Sequence, residues 1–149
     1  MIIVPYQPHH YDCLNLRECD LSTISCIGNV DDRLKSIGLY GPAYTGIHNG
    51  IVVGIAGVML FWRGVGEVWL VGSTHLTKCR IDFHKTVMRG LLMVVGGLSM
   101  RRLQGIISVN YPRNIKWLER IGFKYEGTLS KYGADGSDCV MLARIFKCQ

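Results

Sequence analysis

The chain has 149 residues and lacks most signatures of metal, redox, hydrolytic and membrane proteins. Its six cysteines, at 13, 19, 26, 79, 139 and 148, form no C-x-x-C pair and no Cys/His grouping with zinc-finger spacing. They read as scattered thiols in a reducing compartment. None of the five histidines belongs to an H-E-x-x-H pattern, so no metal is expected. There is no G-x-S-x-G elbow and no Walker loop, which excludes the common serine-hydrolase and P-loop chemistries. The most apolar run, residues 51–62, is twelve residues long, against the roughly twenty a membrane helix needs. MIIVPYQPHHYD has no basic region followed by an apolar one, so no secretory signal is expected. These absences lead to the expectation of a soluble cytoplasmic protein. Only four prolines occur, and no Pro/Ser-rich stretch separates one part of the chain from another. One domain spanning residues 1–149 is expected, large enough to bury roughly two-thirds of its unfolded surface without a staple.

Charge is unevenly divided. Residues 1–62 carry five acidic and three basic side chains, and residues 63–149 carry six acidic and fourteen basic. A basic second half suits a polyanionic partner, either a phosphorylated cofactor or nucleic acid, or is simply a solvated surface.

Residues 2–5 form a short strand, and Pro8 opens a first helix along which Tyr11, Leu14, Arg17, Leu21 and Ile24 recur at helical spacing. A second helix is expected over residues 31–37, with Asn29 as cap and Gly38 as stop. Three strands follow. Residues 43–48 end at Asn49-Gly50, a strong hairpin signal. Residues 51–62 contain Gly54 and Gly57, which suggest a bulge or a close backbone approach. Residues 65–71 place Glu67, Trp69 and Val71 on one face. After a basic loop, Phe83, Val87, Leu91, Val94 and Leu98 trace one stripe of a helix over residues 81–101. Gly90, Gly96 and Gly97 are helix-weakening, so close packing on a sheet is expected to account for them. A strand over 104–109 completes a strand-helix-strand unit. A short helix over 113–121 ends at Gly122, and strands over 123–130 and 139–145 close the chain.

The order β-α-α-β-β-β-α-β-α-β-β resembles the acyl-CoA N-acyltransferase (GNAT) fold, which implies a mixed, mostly antiparallel sheet of about seven strands flanked by about four helices. The most specific local match is Asn114-Ile-Lys-Trp-Leu-Glu-Arg-Ile-Gly-Phe123, similar to that superfamily's fourth-helix signature. Gly122 takes a left-handed C-cap there and Phe123 plugs the core. GEVWLVGS, the glycine-free basic loop and NIKWLERIGF also resemble small GNAT-like proteins of short-tailed bacteriophages, including internal virion proteins, over residues 39–146.

The resemblance implies acetyl-CoA as cofactor. Backbone amides at Leu70 and Val71 and the loop Thr77-Lys78-Cys79-Arg80-Ile81-Asp82 would hold it. The superfamily's Q/R-x-x-G-x-G/A pattern is altered here, with Arg80 and Asp82 in the places of glycines. Lys78 and Arg80 offer charge pairing in compensation, whereas Asp82 repels an anion or caps the helix. Glu67 is the candidate general base, the plainer reading being an exposed strand glutamate. Trp69 reads as core or cleft wall. Asn114 is a helix cap or a contact to the coenzyme's pantetheine arm. The tyrosine that often protonates the leaving thiolate is replaced by Leu118, and neither Tyr111 nor Tyr125 matches its place. Arg113, Lys116 and Arg120 form a basic stripe, a solvated helix face or a nucleic-acid footprint.

Three readings follow. One is an N-acetyltransferase acting on a small amine or a protein amine. The second is a catalytically degenerate protein of the same fold, serving as a virion component or host-directed binder. The third is nucleic-acid binding through the basic half. A second copy of the chain could pair with the meander edge or the last two strands.

Overall fold

A computed structural model describes residues 1–25, 32 and 36–147. Seven strands make one sheet: β1 (Ile2–Pro5), β2 (Ala43–His48), β3 (Ile51–Trp62), β4 (Val65–Gly72), β5 (Arg102–Ser108), β6 (Lys124–Leu129) and β7 (Cys139–Ile145). Their spatial order is β1-β2-β3-β4-β5-β7-β6. Only β4 and β5 run parallel, as a crossover helix between them requires. Four α-helices lie within the described residues beside the sheet: α1 (Pro8–Asp12), α2 (Glu18–Ser25), α3 (Arg80–Gly97) and α4 (Pro112–Arg120). The mixed, mostly antiparallel sheet expected from the sequence is the one found.

The first helix differs from expectation. The stripe running from Tyr11 to Ile24 is not one helix but two, because residues 15–17 leave the helix and lie along the end of β4. Thr74 N–H donates to the Asn15 carbonyl at 2.8 Å, Arg17 N–H donates to the Gly72 carbonyl at 3.2 Å, and Leu16 bridges Ser73. These bonds satisfy polar groups that the end of β4 would otherwise leave open. The helix expected over residues 31–37 falls mostly outside the described residues.

Turn chemistry sets the meander. Asn49 (φ 50°) and Gly50 (φ 78°) both take the left-handed region that a two-residue hairpin turn of type I′ demands. The β2–β3 register shifts between the pairs Gly46–Gly54 and Ile47–Val52, leaving Val53 as a bulge. Gly57 is a close approach: a Cβ there would sit 2.8 Å from the Trp69 ring and 2.6 Å from the Pro42 carbonyl.

Helices α3 and α4 bury their apolar faces on one side of the sheet, where Val58, Leu91, Leu103, Leu118, Ile121, Phe123 and Leu142 form the main core. A smaller cluster of Val53, Leu76 and Cys79, with Phe83 against it, packs near the start of α3. Gly122 (φ 94°) ends α4 in the left-handed conformation, and Phe123 is 2% exposed. Gly105 lets α4 approach, since a Cβ on it would lie 2.8 Å from Leu118.

The expectation for the α3 glycines does not hold. A Cβ built on Gly90, Gly96 or Gly97 meets nothing within 4 Å, so packing does not account for them. Leu98 likewise lies past the helix as its C-cap and is largely exposed, so the stripe ends at Val94. Glycine inside a helix costs about 1 kcal/mol against alanine. Gly90→Ala and Gly96→Ala should therefore each raise stability by roughly 0.5–1 kcal/mol, read as a higher denaturation midpoint. A lower midpoint would mean that the backbone at these positions needs glycine.

Candidate functional site

β4 pairs with β5 over only three residues, Val65–Glu67 against Arg102–Gln104. β5 then continues along β7 to Ser108, while β4 continues along β3 to Gly72. A wedge opens between them. Which backbone groups face it follows from antiparallel alternation. Ser73 N–H donates to the Val53 carbonyl at 2.9 Å, so the odd-numbered residues of β4 turn toward β3. Val58, opposite Val68, donates its own N–H the other way, to Pro42 at 2.9 Å. Val68, Leu70 and Gly72 therefore turn their N–H and C=O toward the wedge, and Val71 turns its own toward Ile55.

Gly72 is already occupied. Its N–H donates to Asp20 Oδ2 at 3.2 Å and its carbonyl accepts from Arg17. Arg17 and Asp20 clasp one another, Nε to Oδ2 at 2.7 Å and a terminal nitrogen to Oδ1 at 3.2 Å. A Cβ on Gly72 would lie 2.6 Å from the Arg17 guanidinium, so glycine is what admits the clasp. Val68 adjoins the last β4–β5 pair. Leu70, between Val68 and the occupied Gly72, presents its amide to the open wedge.

At the closed end of the wedge, the parallel register sets half-buried Glu67 beside Gln104, whose side-chain Nε2 donates to Glu67 Oε2 at 3.1 Å. Arg102 follows on the same face, 3.4 Å from Gln104 Oε1, and pairs with Glu126 through both terminal nitrogens. The Arg102 hydrogen bond holds the Glu126 carboxyl below its ordinary value, against a smaller opposing effect of burial and with help from the guanidinium charge.

At the open end, Thr74–Lys78 form a 3-10 turn and α3 begins at Arg80. The Ser73 hydroxyl accepts the His75 N–H at 3.2 Å and fixes the turn. Thr77, Arg80 and Ile81 line the cavity that fills the wedge; Lys78, Cys79 and Asp82 do not. Cys79 is buried, and burial, followed by the Asp82 charge, pushes its thiol pKa up. Asp82 makes no cap; it lies in the first turn of α3, 4.0 Å from His48. Asn114 is not the α4 cap either. Tyr111 holds that place, because Pro112 is preset for the first helical position and starts the helix three residues earlier. Asn114 instead lies inside the helix, half-buried, on the cavity.

The cavity measures about 1330 Å³. It brings together Glu67, Trp69, Leu70, Val71, Arg80, Ile81 and Asn114, and adds Tyr132 and Asp135 from the β6–β7 connection. Phe83 of α3 stacks on Trp117 of α4 with ring centroids 5.9 Å apart, joining the two helices that flank it.

No family model and no curated protein matches the sequence. Solved structures do match. Ard1 from Thermoplasma volcanium is similar at TM-score 0.79 and 15% identity, over 98% of this chain and 97% of that one. A ribosomal-protein-alanine N-acetyltransferase from Brucella melitensis is similar at 0.77 and 15%, over 98% and 100%. A GNAT-family acetyltransferase from Bacillus anthracis is similar at 0.73 and 13%, over 96% and 93%. The chain has the GNAT fold.

The GNAT fold, at these identities, says nothing of the likeness to phage virion proteins, which rests on sequence segments alone. Within it, Leu118 is 4% exposed and packed on Gly105, so no hydroxyl stands at that point of α4. Arg113, Lys116 and Arg120 are exposed along α4. Among the described residues no three His, Cys, Asp or Glu side chains converge as a metal site, and no helix is long and apolar enough to cross a membrane. The Asp20–Gly72 contact and the Gln104–Glu67 bond carry no sequence signal, because each joins residues far apart in the chain. The Arg17-x-x-Asp20 spacing is the only local hint of the clasp.

Proposed function

We propose that the chain is an N-acyltransferase that moves an acetyl group from acetyl-CoA to an amine by direct attack. The observation that carries this reading is the wedge, where Leu70 turns its N–H and C=O to the opening, between a half-buried carboxylate and the start of an eighteen-residue helix. These groups suit the coenzyme. A strand edge with a free N–H and C=O bonds well to an extended, amide-bearing arm, and Asn114 lies on the same cavity to meet it. The first-turn amides of Arg80, Ile81 and Asp82 and the positive end of the α3 dipole suit a pyrophosphate. Arg80, which lines the cavity with Thr77, supplies by charge what the missing glycines would supply by close approach. Cys79 anchors this loop to the core, and Val71 anchors Leu70 by its bonds to β3.

Bound acetyl-CoA supplies the thioester. Glu67 takes the proton the amine must lose, through a water, as the C–N bond forms and the C–S bond breaks, and the coenzyme would leave as a thiolate that takes its proton from solvent. The Leu70 N–H faces the oxygen on which negative charge develops. The acceptor is a small amine or a protein amine. A second copy of the chain would pair along an open sheet edge, β1 or β6.

A second reading, a binding protein that has kept the fold and lost turnover, is favoured by Leu118 and by Arg80 and Asp82 in the places of glycines. Thermal unfolding with acetyl-CoA separates the loop's role from both readings. Ligand at a hundred times its dissociation constant adds about 2.7 kcal/mol, a shift of roughly 5–10 °C for a domain of this size. The wild type should show that shift, and Arg80→Glu should lose it while melting at the same temperature without ligand. An equal shift in both proteins would remove the loop from the site.

A further inference from the structure

A carboxylate acting as a base works best with one oxygen held and the other left for the proton. The Gln104 amide lies between two partners that leave it no choice of orientation. Its Oε1 is 3.4 Å from Arg102 Nε and its Nε2 is 3.1 Å from Glu67 Oε2. A guanidinium has only donors and an ionised carboxylate only acceptors. Turned over, the amide would set donor against donor and acceptor against acceptor. Arg102 is itself held by a two-pronged pair to Glu126, at 2.9 Å and 2.5 Å. Arg102 and Gln104 are two residues apart on β5 and share a face, and the short parallel ladder places that face beside Glu67.

We propose that Gln104 is a positioning residue for Glu67: it holds the Oε2 edge of the carboxylate and leaves Oε1 to take the proton, while Arg102 and Glu126 lock the amide in the orientation that does so. The inference rests on Glu67 acting as the base proposed above.

The test is steady-state kinetics with acetyl-CoA and an amine acceptor, on wild type, Gln104→Leu, Glu67→Gln and the double variant. Gln104→Leu should lower kcat about tenfold, the worth of one hydrogen bond to a charged group, with KM for acetyl-CoA unchanged. In the Glu67→Gln background the same change should cost nothing further, because Gln104 acts through Glu67. Equal losses in the two backgrounds would mean a structural role and would overturn the proposal, as would an unchanged kcat in Gln104→Leu. Arg102→Met repeats the test should Gln104→Leu not fold: it frees the amide to turn over, and its loss should likewise vanish in the Glu67→Gln background. Failure of the base reading looks different, since Glu67→Gln would then keep wild-type kcat whatever Gln104 does. A wild type without turnover would remove both.

Discussion

Glu67→Gln should lower kcat/KM by about a hundredfold or more while leaving the acetyl-CoA thermal shift intact. The change keeps the size of the side chain and its contact with Gln104 but removes the basic oxygen, and a positioned general base contributes on the order of 10²–10⁴ in rate. The position is suited to this. Glu67 is half-buried on the last β4 residue to pair with β5, one step before the wedge opens, and it lines the same cavity as Leu70 and Asn114. It does not belong to the surface expected to hold the coenzyme, so affinity should survive. A loss smaller than about threefold would place the proton transfer elsewhere.

Phe123→Ala should be the most damaging single truncation of the core, costing about 3–5 kcal/mol. Phe123 is 2% exposed and packs with Leu118, Ile121 and Leu142, which join α4 to the sheet beneath it. Its place depends on Gly122, whose positive φ turns the chain out of α4 and straight into the core. At roughly 2–4 °C per kcal/mol for a domain of this size, the melting temperature should fall by about 10 °C. A fall of a degree or two would show that the core closes over the gap and that α4 is held mainly by Leu118 on Gly105.

Local signals in the chain were sufficient for the seven strands, for their order along the chain, and for α3 and α4. Asn49-Gly50 specified the hairpin, Gly122-Phe123 the end of α4, and the apolar stripe of α3 the helix that carries the chain over to a parallel strand. Two departures come from a bond to distant residues and from a steric rule that acts over two or three positions, and a third, the α3 glycines, has no contact behind it. The stripe from Tyr11 to Ile24 reads as one helix, but residues 15–17 are drawn to β4 by Gly72 and Thr74, more than fifty positions on. Asn114 has the chemistry of a cap, yet Pro112 begins the helix before it. The α3 glycines look like a packing face and face open space instead.

The candidate site was legible only in part, for the same reason. Glu67 and the loop from Thr77 to Asp82 could be placed by resemblance. Register could not, and register decides which amide is free. Leu70 and Val71 are equivalent as letters in a strand; alternation turns one to the wedge and the other to β3. Gln104 has no motif at all, and it matters only because three pairs of parallel ladder put it beside Glu67. Asp20 and Arg17 reach the site through the broken helix.

Acceptor-dependent release of free thiol from acetyl-CoA decides whether the chain is an acyltransferase. The purified chain is mixed with acetyl-CoA and each of a set of amines, from small polyamines to peptides with free N-termini or lysines, and thiol is followed with time. Release should require both the chain and one class of amine, and should fall by about a hundredfold or more in Glu67→Gln. Binding of acetyl-CoA with no thiol release from any amine would contradict the acyltransferase reading and leave a coenzyme-binding protein that has kept the fold without the reaction.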